Sequence, residues 1–271
     1  MSMTMTHIAA SLEDGILRLT KVNIETRQGI SMSVLAELGE AMDRVRSDKS
    51  IRCVVIDAAG DGFHNGAVML GEMAADFRTL GRADYRRIID LGHGLGRNIA
   101  SIDVPIIGVA AGGALGGGLE LLSRCDLLYT TQAARFSFPE VTLGLVAGWG
   151  GTQWSGRYIP KRKAQEFLLL GEEIDGTTAE AWNLVTRALP DRAALDAHVR
   201  KVTDRLKSCA PVSLRWHKEC LRALWERSLT EGEAVEAVAV VEAMSEGVWF
   251  DPVEAFFKGK RWDYTTGKAV D

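Results

Sequence analysis

Residues 110–125, AAGGALGGGLELLSRC, place Gly112, Gly113, Gly116, Gly117 and Gly118 between an apolar run that ends at Ala110 and an apolar stretch that carries Glu120. The run before it, residues 105–110 (PIIGVA), predicts a buried strand, and residues 117–124 predict a short helix. Glycine at this density means close backbone approach. With no Cβ, Gly116, Gly117 and Gly118 can present N–H groups to a ligand, and a helix start favours negative charge, so an oxyanion suits the place. A phosphate loop would need a lysine and a hydroxyl that are absent, and a dinucleotide turn would need an acidic residue closing the next strand. Glycines that merely let a helix pack on a strand remain the plain alternative.

Glu120 lies between Leu119 and Leu121. A carboxylate there is partly desolvated and its pKa is pushed upward, which poises it as an acid or base; a glutamate that only complements the helix dipole is the competing reading. Residues 136–153 (FSFPEVTLGLVAGWGGTQ) carry Glu140 after a proline and ahead of a glycine-rich loop. Alone it reads as a solvated loop carboxylate. Paired with Glu120 it becomes a candidate second acid or base, since hydrating a double bond needs one group to activate water and another to protonate carbon.

A third segment, residues 57–73 (DAAGDGFHNGAVMLGEM), follows the strand-like run IRCVVID. Its glycines suit a turn, after which Ala67 opens a helix with a free N–H, a candidate second oxyanion donor. His64 invites a catalytic reading, against the commoner one of a solvated or supporting histidine. His64 and Trp149 are also candidate walls of a ligand pocket, with buried packing as the alternative for the tryptophan.

Further outward, residues 16–20 predict a strand, residues 33–46 a helix with one apolar face, and residues 51–57 a buried strand, together one right-handed crossover unit. Residues 85–100 predict a helix interrupted by Gly92, Gly94 and Gly96, residues 126–130 a strand, and residues 135–138 a small strand beside it. Residues 1–10 are expected to be a frayed start. From residue 193 the pattern is almost wholly helical, over residues 193–209, 211–227, 231–244 and 251–258, with Trp216, Trp225 and Trp249 suited to subunit contacts.

Composition narrows the function classes. A chain of 271 residues with 46% hydrophobic content and a net charge of −4 does not have the basic surface that nucleic acid or an anionic membrane calls for. It contains no run of about 20 apolar residues and no secretory signal, so a soluble, cytoplasmic protein is expected. Cys53, Cys125, Cys209 and Cys220 are far apart and lack CxxC spacing, which suits reduced thiols; no metal site is expected.

The three glycine-rich segments, in this order and spacing, resemble the crotonase (enoyl-CoA hydratase/isomerase) superfamily, from about residue 51 to residue 189. The resemblance implies an α/β fold in which repeated ββα units form a spiral superhelix. Residues 1–192 would be the core holding CoA and the active site, and residues 193–271 a helical region for trimerisation and active-site cover. It implies Ala67 and Gly117 as the two oxyanion donors, Glu120 and Glu140 as the hydratase pair, and Ala67, Val68, Met69, Leu70, Gly116 and Gly117 along the acyl-CoA. The partner is then an acyl-CoA thioester, with no cofactor beyond the CoA of the substrate, and the assembly a homotrimer or dimer of trimers. Keeping both carboxylates favours hydration of a 2-enoyl-CoA over isomerisation, C–C or thioester hydrolysis, or idle acyl-CoA binding. The chain departs from the family pattern at Val68, where an acidic residue is usual, at His64 and Asn65, and at residues 27–31 (RQGIS).

Overall fold

The computed structural model describes residues 5–66, 68, 72 and 76–271. The chain opens with a hairpin, β1 (Ile8–Glu13) antiparallel to β2 (Ile16–Lys21). Asp14 and Gly15 turn it, both at positive φ, the conformation that a two-residue hairpin loop requires and that Asp-Gly favours. Residues 8–10 are therefore paired strand, not frayed start. Only Ile8 of β1 is buried, so this edge strand lacks the apolar alternation that betrays most strands.

Helix α1 (Met32–Ser47) is capped by the Ser31 hydroxyl, which accepts from the Val34 N–H at 3.1 Å. It buries Val34, Leu35, Leu38, Ala41, Met42 and Val45 and returns the chain to β3 (Cys53–Ala58), parallel to β2. The pattern then repeats. After β3 comes β4 (Phe63–His64) and later α2 (Arg82–Ala100), an uninterrupted helix in spite of its glycines. After β5 (Ile106–Ala110) come β6 (Gly113–Leu115) and α3 (Gly117–Leu122); after β7 (Leu127–Thr131) comes β8 (Arg135–Ser137). Each pass sends one strand to a large sheet, ordered β1-β2-β3-β5-β7 and closed by β10 (Arg187–Leu189), and the next to a small sheet, ordered β4-β6-β8 and closed by β9 (Ile174–Asp175). That is a ββα spiral.

Helices α4 (Gly151–Tyr158) and α5 (Lys161–Leu170), strand β9 (Ile174–Asp175), helix α6 (Gly176–Ala181) and strand β10 (Arg187–Leu189) finish the core. Alternate residues of the large sheet face opposite layers. Val54, Ile56, Ile106 and Leu128 pack with α1 and α2, whereas Cys53, Val55, Ile107, Val109 and Tyr129 pack with Leu195 and Val199 of α7 (Arg192–Lys207). Asp57, at the end of β3, is gripped by Arg18 and Arg192 and fastens α7 to the sheet.

Beyond α7 run α8 (Pro211–Glu226), α9 (Leu229–Ser245) and α10 (Phe250–Phe257). A hairpin of β11 (Arg261–Asp263) and β12 (Lys268–Val270) ends the chain, so this region is not wholly helical. Among the described residues no helix is long and apolar enough to cross a membrane.

Candidate active site

The site is built at the start of α3. Gly116 precedes the helix at φ 48°, and Gly117 is its first residue, whose N–H has no acceptor within the helix. Gly118 faces the end of β4, where a Cβ would collide with the carbonyl oxygens of His64 and Asn65. Only glycine lets α3 approach the β4 segment this closely. The approach brings Gly117 N within 3.6 Å of where a Cβ on Gly66 would stand. The neighbouring chain is itself held as a paired strip: Ile30 N–H donates to Gly66 O at 2.9 Å, and Val68 N–H donates to Ile30 O at 3.0 Å. Asn65 anchors the strip from its side chain, donating to Thr26 O at 2.9 Å and accepting from Gly66 N–H at 2.8 Å. Ala67, Met69 and Leu70, expected along the thioester and CoA, lie outside the described residues.

Glu120 stands one turn into α3, and its own N–H donates to Gly116 O at 2.9 Å. The carboxylate is 3% exposed. Its Oε1 accepts from Trp149 N–H at 2.7 Å, in the loop that leads into α4, and from Gly151 N–H at 2.8 Å, the first residue of that helix. Burial pushes the carboxyl up to about 7; the Gly151 N–H opposes that, the nearby Glu140 adds to it, and the Trp149 N–H and the Arg124 charge oppose it.

Glu140 sits in a 3-10 turn over Pro139–Leu143, with proline at the first position setting the turn. A Cβ on Gly116 would lie 2.6 Å from Glu140 Oε1, so the carboxylate rests directly over the start of α3. Its Oε2 is buried and finds no hydrogen-bond partner among the described residues. Burial raises this carboxyl too, against its own backbone N–H. Two carboxyls with raised affinity for protons thus stand close enough to feel each other's charge, Glu140 against the start of α3 and Glu120 one turn into it. Such a pair can hold a water and pass a proton between substrate carbon and solvent.

Two expected pocket residues stand elsewhere. His64 is 1% exposed, and its Nε2 lies 2.8 Å from Val109 O. It shares a small internal cavity with Lys21, and burial together with the Lys21 charge holds its pKa well below the ordinary imidazole value. A neutral histidine in the core does not line an acyl pocket. The Trp149 ring is 3% exposed, packed on Gly92 of α2, with Nε1 donating to Ile88 O at 3.1 Å. It is a packing group rather than a pocket wall, and the part of the residue that meets Glu120 is its backbone N–H. That donor and the Gly151 N–H escape a reading by residue type, because every residue but proline has one.

Among the described residues no group of three or more His, Cys, Asp or Glu side chains is placed to hold a metal ion.

A ββα spiral with paired carboxylates at a glycine-opened helix start defines the class, and comparison with known proteins agrees. The model of the enoyl-CoA hydratase/isomerase family matches residues 12–260. The 2,3-dehydroadipyl-CoA hydratase of Escherichia coli is 28% identical over 90% of this chain and 94% of its own length. Mitochondrial methylglutaconyl-CoA hydratase of Mus musculus is 28% identical over 81% of this chain and 69% of its own. Among solved structures, an enoyl-CoA hydratase of Mycobacterium smegmatis superposes with a TM-score of 0.89 at 25% identity, covering 96% of this chain and 99% of that one. The chain belongs to the enoyl-CoA hydratase/isomerase family.

Proposed function

We propose that this protein adds water across the 2,3 double bond of a 2-enoyl-CoA. The observation that carries the reading is the contrast between the two carboxylates. Glu120 has one oxygen held by two N–H donors, and Glu140 has a buried oxygen without a partner among the described residues. Burial alone would leave Glu120 the more readily protonated of the two, at about 7, but its two N–H donors need an oxygen that accepts, whereas Glu140 Oε2 is open to carry a proton; on that geometry Glu120 is assigned as the base and Glu140 as the acid. A water between them would give its proton to Glu120 as its oxygen bonds to C3. The π electrons move toward the thioester, whose oxygen takes the enolate charge against the N–H groups of Gly117 and Ala67. The enolate then collapses as Glu140 delivers its proton to C2, and exchange with solvent resets the pair.

On this reading the acyl-CoA lies along Ala67, Val68, Met69, Leu70, Gly116 and Gly117, CoA arrives as part of the substrate, and no further cofactor takes part. The burial of His64 supports hydration over thioester hydrolysis, which would have used that imidazole beside the thioester carbonyl. A homotrimer or dimer of trimers is the assembly this reading carries, supported by the exposed apolar side chains of the C-terminal helices.

The test is the absorbance of the conjugated enoyl thioester when the protein meets crotonyl-CoA and longer, branched and cyclic 2-enoyl-CoAs. The band is expected to fall with at least one substrate. Glu120→Gln and Glu140→Gln are each expected to lower turnover by about 10²-fold or more, while CoA esters still bind. Full activity in either variant would overturn the assignment.

A further inference from the structure

The loop that holds Glu120 is itself held. Arg124 lies four residues beyond Glu120, in the turn that ends α3, and its Nη2 donates to Trp149 O at 2.9 Å. Trp149 therefore gives its N–H to Glu120 within α3 and accepts on its carbonyl from Arg124 just past the helix end. The guanidinium is buried and forms no ion pair among the described residues. It lies 4.4 Å from the centre of the Trp154 ring, a cation–π contact.

Two glycines of α2, one turn apart, make room for this assembly. Any Cβ on Gly92 would enter the Trp149 ring, and one on Gly96 would stand 3.2 Å from Arg124 Nε. Gly150 likewise leaves space for the Arg124 guanidinium. Gly94, on the other side of the helix, has no atom from beyond its own helix turn within 4 Å of its Cβ position among the described residues. Hence Gly92 and Gly96 form a slot that seats a ring and a guanidinium. A buried arginine without a carboxylate partner is costly, and packing alone does not call for one.

We propose that Arg124 is a positioning residue: it clamps the Trp149 carbonyl so that the Trp149 and Gly151 N–H groups stay on Glu120, and its charge favours the anionic form that accepts the proton from water. The inference rests on the hydratase reading for its catalytic consequence, but the coupling of Arg124 to Glu120 stands apart from it. The groups that bear on Glu120 are Glu140, which opposes ionisation, and Arg124, which favours it. Around Arg124 stand Arg97, Arg157, Tyr158 and His93.

The experiment compares wild type with Arg124→Met, Arg124→Gln and Arg124→Lys. Turnover of a 2-enoyl-CoA is followed against pH, and the Glu120 carboxyl is followed by infrared difference titration, its band identified as the one missing in Glu120→Gln. Arg124→Met is expected to lower kcat about tenfold with KM within about twofold, and to move the Glu120 midpoint up by about one pH unit. Arg124→Lys, which keeps the charge, is expected to restore most of the midpoint. If the Met variant does not fold, Arg124→Gln carries the same expectation with a smaller shift. An unmoved midpoint in the uncharged variants, with only a lower melting temperature, would overturn the proposal and leave Arg124 as packing. Should wild type be inert toward every enoyl thioester, the hydratase reading fails, and the infrared midpoint still decides the role of Arg124.

Discussion

Gly118 admits no side chain, because its Cβ position lies against the His64 and Asn65 carbonyls at the end of β4. Alanine there is predicted to destabilise the fold by about 1–3 kcal/mol and to displace the Gly117 N–H. Denaturant unfolding checks the first effect and turnover the second; a fully active, fully stable variant would refute the close approach. Glu120 makes a prediction with a sign. Its carboxyl is raised from 4.5 to about 7, so folding favours the protonated form. The stability this contributes is whole below about 4.5 and is lost as pH rises through about 7. Glu120→Gln is uncharged throughout, so it should gain on wild type between about pH 5 and about pH 8, by up to about 3 kcal/mol. Urea unfolding at the two pH values measures it, and a constant difference would contradict the burial argument.

At the scale of elements, α2 separates two kinds of glycine. Gly94→Ala fills open space in a helix interior and is predicted to stabilise the protein by about 0.5–1 kcal/mol. Gly92→Ala drives a methyl group into the Trp149 ring and is predicted to cost about 1–3 kcal/mol in spite of the same gain in helix propensity. Paired thermal melts decide it; equal effects would mean that the slot has no structural role. Sequence reading finds α2 by its periodicity but takes its glycines for interruptions, since their partners, Trp149 and Arg124, come from distant segments. The long elements α1, β3, β5 and α8 are legible because each repeats its apolar signal over several residues. Strands β4 and β6, two and three residues long, are too short for any period to register. The two glutamates are legible because a carboxylate beside leucines or after Phe-Pro is unusual. Arg124 offers the same signal, a charge four residues along an apolar helix, and the loop that it holds becomes visible only when folded.

Taken whole, the molecule leaves its C-terminal helices with apolar faces toward solvent. Leu229 is 77% exposed and Phe257 81%, and Val238, Val241 and Met244 of α9 are also exposed, while Ala239 is the residue that this helix buries. Apolar surface on this scale is expected to be covered by other copies of the chain. Light scattering should report a mass well above the 29.5 kDa of one chain, and Val241→Glu should shift the population toward the monomer. A wild type that stays monomeric at micromolar concentration would contradict that assembly.

The role proposed for Glu120 and Glu140 is to place one water on the acyl chain. Incubation with a 2-enoyl-CoA in oxygen-18 water, followed by mass spectrometry of every product, tests it most directly. The expected product is an intact CoA thioester with one labelled oxygen on C3 of the acyl chain. Free CoA with labelled carboxylate, or a thioester that shifts its double bond and takes up no label, would contradict it.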